Sequence, residues 1–432
     1  MKKQNILKDL RSFLLLWTSQ TVSELGTAMV NYALVIWVYQ QNGTASSVSL
    51  LTLSAFLPTI LFRFIGGTLA DRFDKKRIML LSDLAAAVGT LTILILYSLS
   101  SLQIWHLYVI NALLSCMNAV QVPASFAACS LIVPKDHYTR VGGLQGISSA
   151  AVSILAPALG GAILAFGGMR TVLLIDLVSF GIAFMTLLLF IRIPKSAKTQ
   201  AEGEKSTFLA DCAEGIRYLK ADRAILHITL FMAAVNFLAK LGNDGMLAPF
   251  VLARTGNNEQ VLGLVQSSVS VGLLAGSLLL TVLKSAKDKA KLAFFSCTFI
   301  YIGVIVQSLT VQPWLWCAVS VLTYLCAVVM NANLTAVMRE RVPVELHGRV
   351  FSAKDTLQNC TIPLGLFLGG VFADYVFEPM MQADTAVQQL FSPLFGTGGG
   401  AGIALQFFFV GLAGVILCLS QLKRRVYDDL RS

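Results

Sequence analysis

Long apolar stretches alternate with short polar segments along almost the whole chain. Most of them have the length that an α-helix needs to cross a lipid bilayer. A transmembrane β-barrel would show shorter segments of alternating polarity instead. The pattern therefore predicts an all-α polytopic membrane protein with twelve transmembrane helices in two six-helix bundles. The predicted spans lie near residues 13–38, 47–70, 78–99, 104–132, 140–166, 170–193, 224–251, 260–283, 290–309, 313–338, 350–376 and 401–421.

One long polar segment, residues 194–223, separates the first six spans from the last six. Apolar residues from Phe208 to Leu219 recur in it at helical spacing, which indicates an amphipathic helix on the cytoplasmic surface. We therefore predict a cytoplasmic linker with an amphipathic helix between two bundles. The N-terminal six-helix bundle comprises residues 1–193, and the C-terminal six-helix bundle comprises residues 224–432.

The two predicted bundles repeat in sequence. Residues 133–141 precede the fifth span and residues 342–350 precede the eleventh, with Val, Pro, an acidic residue, Arg and Val in the same register. The same offset places the glycine pair 160–161 onto the glycine pair 369–370. Parallel six-helix repeats are typical of transporters, whose substrate site lies between the repeats near the bilayer midplane. The bundles are therefore predicted to be pseudo-symmetric.

Composition and charge agree with this class. The chain is 56% hydrophobic and 13% charged, with a mean hydropathy of +0.72 and a net charge of +10. All but four of its 33 Lys and Arg residues fall in one set of loops and tails, the exceptions being Arg63, Arg170, Lys240 and Arg254. This asymmetry predicts that both termini are cytoplasmic. The excess charge then contacts lipid headgroups, and no nucleic-acid partner is expected.

A charged turn, residues 67–77, joins the second and third predicted spans. With twelve spans and two repeats, it makes the chain resemble the major facilitator superfamily over essentially its whole length. That family has the signature Gly-x-x-x-Asp-Arg-x-Gly-Arg/Lys-Arg/Lys in this turn, and Asp74 stands here in place of the second glycine. The residues that match are Gly67, Asp71, Arg72, Lys75 and Lys76.

The resemblance implies that this turn is a conformational latch. Asp71 would contact basic groups across the interface of the two halves in one transport state and release them in the other. The alternative is an ordinary turn whose charges only set the membrane topology.

A second, partial match lies in the fifth predicted span. Drug-exporting members of the family carry the signature G-x8-G-x3-G-P-x2-G-G there, and Val152 and Ala156 stand in place of two of its glycines. The residues in register are Gly143, Pro157, Gly160 and Gly161. Glycine permits close helix packing and proline bends a helix, so the match is also consistent with packing alone. The linker, the repeated Val-Pro-x-acid segments and the Gly-Gly pairs of the two halves make the chain resemble the bacterial macrolide and siderophore exporter branch most. That branch implies a bacterial plasma or inner membrane.

In the resembled family, helices one, four, seven and ten line the central cavity. Polar residues within spans are costly, so their positions carry information. The substrate-cavity candidates on these four helices are Asn31, Asn111, Asn118, Asn236, Lys240 and Asn331.

The candidates for proton coupling are Glu24, Arg63 and Asp244. Glu24 lies about 16 Å into the first span, where a carboxylate could exchange protons. A static ion pair between Glu24 and Arg63 is the alternative. Lys240 and Asp244 are four residues apart and either neutralise each other or form a gate or substrate contact. We expect Asp176 to be solvated or paired with Arg170.

The sequence Gly369 to Asp374 resembles the charged turn but lies at the opposite end of its helix, without a basic cluster. We interpret it as helix packing followed by a solvated carboxylate. The glycine-rich residues 396–402 follow no strand, and no phosphate-binding Gly-rich loop ending in Lys-Ser or Lys-Thr occurs. The eight cysteines are scattered and the four histidines do not cluster, so we predict no metal and no cofactor.

The sequence and the resemblance predict a secondary active transporter, not an enzyme. It would export amphipathic or hydrophobic drug-type molecules by proton antiport with alternating access, and would thereby confer antibiotic resistance. Its partners would be a small-molecule substrate, protons and membrane lipids, and it would act as a monomer. The alternatives are a dedicated exporter of a metabolite such as a siderophore, a nutrient importer of the same fold, or a lipid flippase or membrane sensor.

Overall fold

The computed structural model describes residues 10–133, 138–191, 193, 216–282, 288–343, 346–384 and 386–422. Helices account for nearly all of these residues, and no β-strand occurs among them. In chain order the helices are α1 (Arg11–Asn42), α2 (Ala45–Arg72), α3 (Lys75–Ser98), α4 (Ile104–Ile132), α5 (Tyr138–Phe190), α6 (Arg223–Leu241), α7 (Asn243–Arg254), α8 (Glu259–Val282), α9 (Lys289–Leu309), α10 (Pro313–Arg341), α11 (His347–Asn359), α12 (Thr361–Phe372), α13 (Glu378–Gln382), α14 (Ala386–Phe395) and α15 (Ala401–Leu422). A π-helical turn, Ala373–Phe377, joins α12 to α13.

Eleven stretches within the described residues are long and apolar enough to cross a membrane. One of them, Leu144–Phe190, has 47 residues and would measure about 70 Å as a straight helix, more than twice the hydrocarbon thickness. It is interrupted at Gly168, whose φ of 71° lies in the left-handed region that favours glycine. This stretch therefore supplies two spans. The prediction of an all-α fold with twelve transmembrane helices is confirmed.

The seventh and eleventh spans are not continuous helices. The stretch Arg223–Arg254 changes direction at Gly242, whose φ of −114° and ψ of −125° are not helical, so α6 and α7 are separate helices. The eleventh span, within Ala353–Gln382, includes α12, the π-helical turn and α13. Broken helices expose backbone groups and are typical of the substrate-bearing parts of transporters.

The chain forms two compact units, one comprising residues 1–42 and 50–200 and the other residues 43–49 and 201–432. They are called the first unit and the second unit. In the first unit, α1 packs along α5, while α3 packs against α4 and α5. Leu16, Met79 and Leu187 form part of its buried core.

In the second unit, α10 packs against α8 and α9, and α9 packs against α15. Its largest apolar cluster includes Phe231, Phe294 and Tyr301, and the Tyr301 hydroxyl donates to the Val235 carbonyl oxygen at 3.2 Å. Residues 194–215, which include most of the expected linker and the first part of its amphipathic helix, lie outside the described part of the chain. Residues 216–221 are helical, and Leu219 is buried in this cluster. The domain bounds stay a prediction.

Candidate functional site

A buried carboxylate lies inside the first unit between three helices. Asp83 on α3 is only 5% exposed. Its Oδ1 accepts a hydrogen bond from Gln121 Nε2 of α4 at 2.7 Å, and its Oδ2 accepts one from Gln20 Nε2 of α1 at 3.3 Å. Two neutral amides thus bind both carboxylate oxygens.

A second carboxylate, Asp176 on α5, is 1% exposed. Its Oδ2 accepts a hydrogen bond from Thr90 Oγ1 at 2.8 Å, and its Oδ1 accepts one from Thr27 Oγ1 at 3.3 Å. The expectation that Asp176 is solvated or paired with Arg170 is therefore wrong. The sequence neighbour Arg170 was the reason for that expectation, whereas the actual donors are threonine hydroxyls of α1 and α3.

The two sites are related by helical periodicity. Gln20 and Thr27 are seven residues apart on α1, and Asp83 and Thr90 are seven residues apart on α3. Residues separated by seven lie on one face, about 10 Å apart along the helix axis. One face of α1 therefore donates to both carboxylates, through Gln20 and Thr27. One face of α3 carries Asp83 and, one level away, donates to Asp176 through Thr90. We call the two carboxylates and their four donors the carboxylate ladder: Gln20, Thr27, Asp83, Thr90, Gln121 and Asp176.

Sequence reasoning did not select Asp83, because its helix is not one of the four expected to line a cavity. The available signal was a lone acidic residue in the apolar stretch 78–99, which is as unusual as Glu24 in the first span. Glu24 itself is exposed on α1, on the face that carries Gln20 and Thr27. The Arg63 side chain lies outside the described residues, so the Glu24–Arg63 pair stays a prediction.

The second unit contains an ionic cluster at the break between α6 and α7. The Lys240 ammonium pairs with Asp244 Oδ2, and Tyr324 Oη of α10 donates to Asp244 Oδ1 at 3.0 Å. Sequence spacing suggested the pair but not Tyr324, which comes from a helix eighty residues away. Gly245 is required beside it, because a Cβ there would lie 2.0 Å from the Lys240 carbonyl oxygen.

A cavity of about 510 Å³ lies in the second unit between α8 and α10. Its apolar lining includes Leu273 and Val328, and its polar lining consists of Asn331, Thr335 and Arg339. Apolar residues with a few polar groups among them are the usual composition of a small-molecule site. Asn331 lines this cavity within the second unit, and its amide donates to the Ala327 carbonyl oxygen at 3.0 Å. Its place in a central substrate cavity stays a prediction.

The other cavity candidates have different surroundings. Asn236 Nδ2 donates to the Gln358 carbonyl oxygen at 3.3 Å within the second unit. In the first unit, Asn31 and Asn118 are exposed and Asn111 is half-buried. Within the described residues no group of three or more His, Cys, Asp or Glu side chains could hold a metal ion.

The carboxylate of Asp374, in the π-helical turn, binds the start of α2. Its two oxygens accept hydrogen bonds from the backbone N–H groups of Ala45 at 2.8 Å and Ser46 at 2.7 Å. Both partners belong to the segment 43–49 of the second unit. The interpretation of Asp374 as a solvated carboxylate is therefore wrong, because two N–H groups at a helix N-terminus attract a negative charge.

Replacing Asp374 by Ala is expected to lower the free energy of unfolding by about 1–2 kcal/mol, the usual loss for a capping carboxylate. Asp374→Asn keeps one acceptor oxygen and should lose less. Thermal unfolding of the purified protein in detergent measures both. Asp384→Ala is the matched control, since exposed Asp384 accepts only a 3.2 Å hydrogen bond from the Gln389 side chain. Equal transition temperatures for Asp374→Ala and this control would contradict the capping role.

Comparison with known proteins identifies the class of molecule to which these sites belong. The sequence profile of the Major Facilitator Superfamily matches residues 16–359, well over half of the chain. The chain belongs to the major facilitator superfamily. Macrolide efflux protein A of Streptococcus pyogenes is 26% identical to it over 386 residues, which cover 87% of this chain and 92% of that protein. Multidrug efflux pump Tap of Mycobacterium tuberculosis is 24% identical over 353 residues, which cover 78% and 81%.

Solved structures of major facilitator proteins have the same fold. The nucleoside transporter NupG superposes with a TM-score of 0.68 at 13% sequence identity, over 95% of this chain and 99% of that one. The resemblance inferred from sequence is confirmed. This major facilitator protein is a multi-pass membrane transporter of small molecules, not an enzyme.

The charged turn of this major facilitator protein is described in part. Asp74, in place of the family's second glycine, caps α3 by accepting from the Arg77 N–H at 2.9 Å. Lys76 Nζ donates to the carbonyl oxygens of Leu188 at 2.9 Å and Ile191 at 2.7 Å, at the end of α5. Such contacts satisfy carbonyl groups that a helix end leaves free. Lys75 also has an interaction partner.

The side chains of Asp71 and Arg72, and the surroundings of Gly67, lie outside the described residues, so the latch stays a prediction. In the fifth-span motif, Pro157 lies inside α5. A Cβ on Gly160 would lie 3.1 Å from a Tyr32 ring carbon of α1, so this glycine lies in the α1–α5 contact. Gly161 is buried, whereas the surroundings of Gly143 lie outside the described part.

Proposed function

We propose that this transporter exports amphipathic drug-type molecules, macrolides among them, by proton antiport with alternating access. The observation that carries the proposal is its similarity to macrolide efflux protein A over 87% of the chain. The multidrug efflux pump Tap supports the same direction of transport. The cavity in the second unit supports the substrate class, because apolar residues and three polar side chains line it.

The proton gradient is the proposed energy source. Transport against a gradient needs one, and a charge that crosses 100 mV releases about 2.3 kcal/mol. Glu24, Arg63 and Asp244 are the coupling candidates from sequence. The first of these is exposed on α1. Residues Gly67, Asp71, Arg72, Lys75 and Lys76 would form the latch that opens and closes once in each cycle.

The proposed setting is a bacterial plasma or inner membrane, with both termini in the cytoplasm and the protein acting as a monomer. Lysines and arginines in the loops on the cytoplasmic side would contact anionic lipid headgroups. Export from that compartment would lower the drug concentration at its targets and so confer antibiotic resistance.

A growth comparison tests the substrate class. Cells without their own efflux pumps would carry this chain or an empty vector and be exposed to macrolides, lipophilic cations, siderophores and nucleosides. The expected result is growth at higher macrolide concentrations only in the expressing cells, together with lower macrolide accumulation that a protonophore reverses. Equal growth and accumulation across the panel, with the protein present in the membrane, would contradict drug export.

A further inference from the structure

Several carboxylates that the structure describes accept hydrogen bonds from groups that can only donate. Asp222 accepts from the N–H groups of Ala224 and Ile225 and pairs with Arg341. Asp288 accepts from a backbone N–H at the start of α9, as Asp374 does at the start of α2. Backbone N–H, ammonium and guanidinium groups cannot accept a hydrogen bond. Protonating these carboxylates would therefore leave a new O–H group facing donors, so such sites hold their negative charge.

The carboxylate ladder has a different chemistry. The partners of Asp83 are the side-chain amides of Gln20 and Gln121, and those of Asp176 are the hydroxyls of Thr27 and Thr90. An amide can turn its carbonyl oxygen toward a donor, and a hydroxyl can accept as well as donate. The same four side chains can therefore satisfy a carboxylate, by donating, and a carboxylic acid, by accepting from its O–H.

The burial of Asp83 and Asp176, without an opposite charge beside them, favours the binding of a proton at both positions. Asp83 and Asp176 are 5% and 1% exposed, and no described Lys, Arg or His side chain forms an ion pair with either. A buried charge without an opposite charge is unfavourable, and binding one proton removes it. Among the four helices of the ladder, Glu24 is the ionisable side chain that shares a face with its members. The remaining described charged or basic side chains lie near helix ends: Arg11, Lys75, Lys76, Arg77, His106 and Arg170.

We propose that Asp83 and Asp176 are two proton-binding sites of the first unit. This inference rests on the proposed proton antiport and assigns the residues that carry the proton. Asp83 lies about 12 Å from the Lys75 end of α3. Gly168 is at the opposite end of the bundle, and Asp176 lies about 12 Å from it along α5. In each step one proton from water adds to one carboxylate oxygen, and the neutral acid later returns that proton to water.

Protonation also changes what the helices can bind. Once Asp83 is neutral, either Gln20 or Gln121 must turn its carbonyl oxygen toward the new O–H, and the two amides then no longer both donate to it. Since these amides come from α1 and α4, proton binding at α3 alters contacts among three helices. Asp176 does the same for α1, α3 and α5 through Thr27 and Thr90. The ladder thus links proton occupancy to the packing of the first unit.

Infrared difference spectroscopy tests the two sites without a substrate. The purified full-length protein in lipid nanodiscs is titrated with acid, and the C=O stretch of newly formed carboxylic acids is recorded. Asp83→Asn and Asp176→Asn should each remove one component of the wild-type band. Asp288→Asn is the matched control, because asparagine also caps a helix, and it should leave the band unchanged. A band that keeps its full intensity in both ladder variants would overturn the proposal.

Transport by proteoliposomes separates this proposal from the proposed function. Radiolabelled erythromycin uptake is measured with a pH gradient and, separately, as exchange without one. Each ladder variant should lose the gradient-driven part and keep exchange. Gradient-driven uptake at the wild-type level in both variants would overturn the ladder while leaving proton antiport intact. If the wild type shows no gradient-driven uptake but the variants remove the infrared components, the ladder stands and the proposed antiport is wrong.

Discussion

Asp244→Asn is expected to lower the free energy of unfolding by about 2 kcal/mol and to reduce export in proportion to the folded protein that is lost. The substitution leaves the Lys240 ammonium without its anion inside a membrane span, where a central charge costs about 2.5–3.5 kcal/mol. We expect less than that maximum, because the side chains of Lys240 and Asp244 are 29% and 35% exposed. Asparagine still offers Tyr324 an acceptor, so the effect isolates the charge.

The double variant Lys240→Met/Asp244→Asn decides the role of the pair. Lys240 lies in the last turn of α6 and Asp244 in the first turn of α7, where each charge complements the dipole of its own helix. We interpret the pair as a clamp across the break at Gly242. Removing both charges should therefore restore most of the stability and the export.

Thermal unfolding in detergent and macrolide accumulation in cells measure these two quantities. Glu340→Gln is the matched control, because it removes the anion of the Lys289–Glu340 pair, whose glutamate side chain is 63% exposed. That change should alter stability by less than about 1 kcal/mol. A double variant that is as stable as the wild type but does not export would contradict the clamp and assign the pair to a gate or substrate contact.

Gly402→Ala is expected to destabilise the second unit by about 3 kcal/mol, the upper end of the usual effect of overpacking. A Cβ on Gly402, at the start of α15, would lie 2.3 Å from the Glu378 nitrogen and the Phe377 carbonyl carbon. Both atoms belong to the backbone where the π-helical turn meets α13, so no side-chain rotation can relieve the contact. The helices would have to separate there.

Gly398→Ala in the same loop is the matched control. No atom lies within 4 Å of the Cβ position of Gly398, so this variant should unfold at the wild-type temperature. Fluorescence-detected size-exclusion chromatography after heating measures both variants. Indistinguishable melting of Gly402→Ala and Gly398→Ala would contradict the close approach of α15 to α13.

The glycine-rich loop shows why sequence alone resolves such a region poorly. Residues 396–402 superficially resemble a phosphate-binding loop, and the absence of a preceding strand was the reason to reject that function. The structural role of these glycines is visible only in the folded chain. Gly396 and Gly400 have φ values of 72° and 76°, and Gly402 lies against another backbone segment. Left-handed conformation and close approach both depend on how distant parts of the chain meet.

The transmembrane helices could be predicted, because hydropathy over about twenty residues depends only on the local sequence. The pairing of Lys240 with Asp244 was foreseeable for the same reason, since four residues make one helical turn. Asp83, Asp176 and Asp374 were missed or misjudged because their donors lie on other helices. Gln121 is 38 residues from Asp83, and Ala45 is 329 residues from Asp374. No periodic pattern connects residues at those separations.

The central claim, proton-coupled drug export, is tested most directly by the purified wild-type protein in liposomes with an acidic lumen. Erythromycin is added outside, and lumenal pH and drug content are recorded together. We predict that the drug accumulates above its outside concentration while the lumen becomes alkaline, and that an ionophore which collapses the pH gradient stops both. Erythromycin flux that is the same with and without the gradient, at constant lumenal pH, would contradict the account.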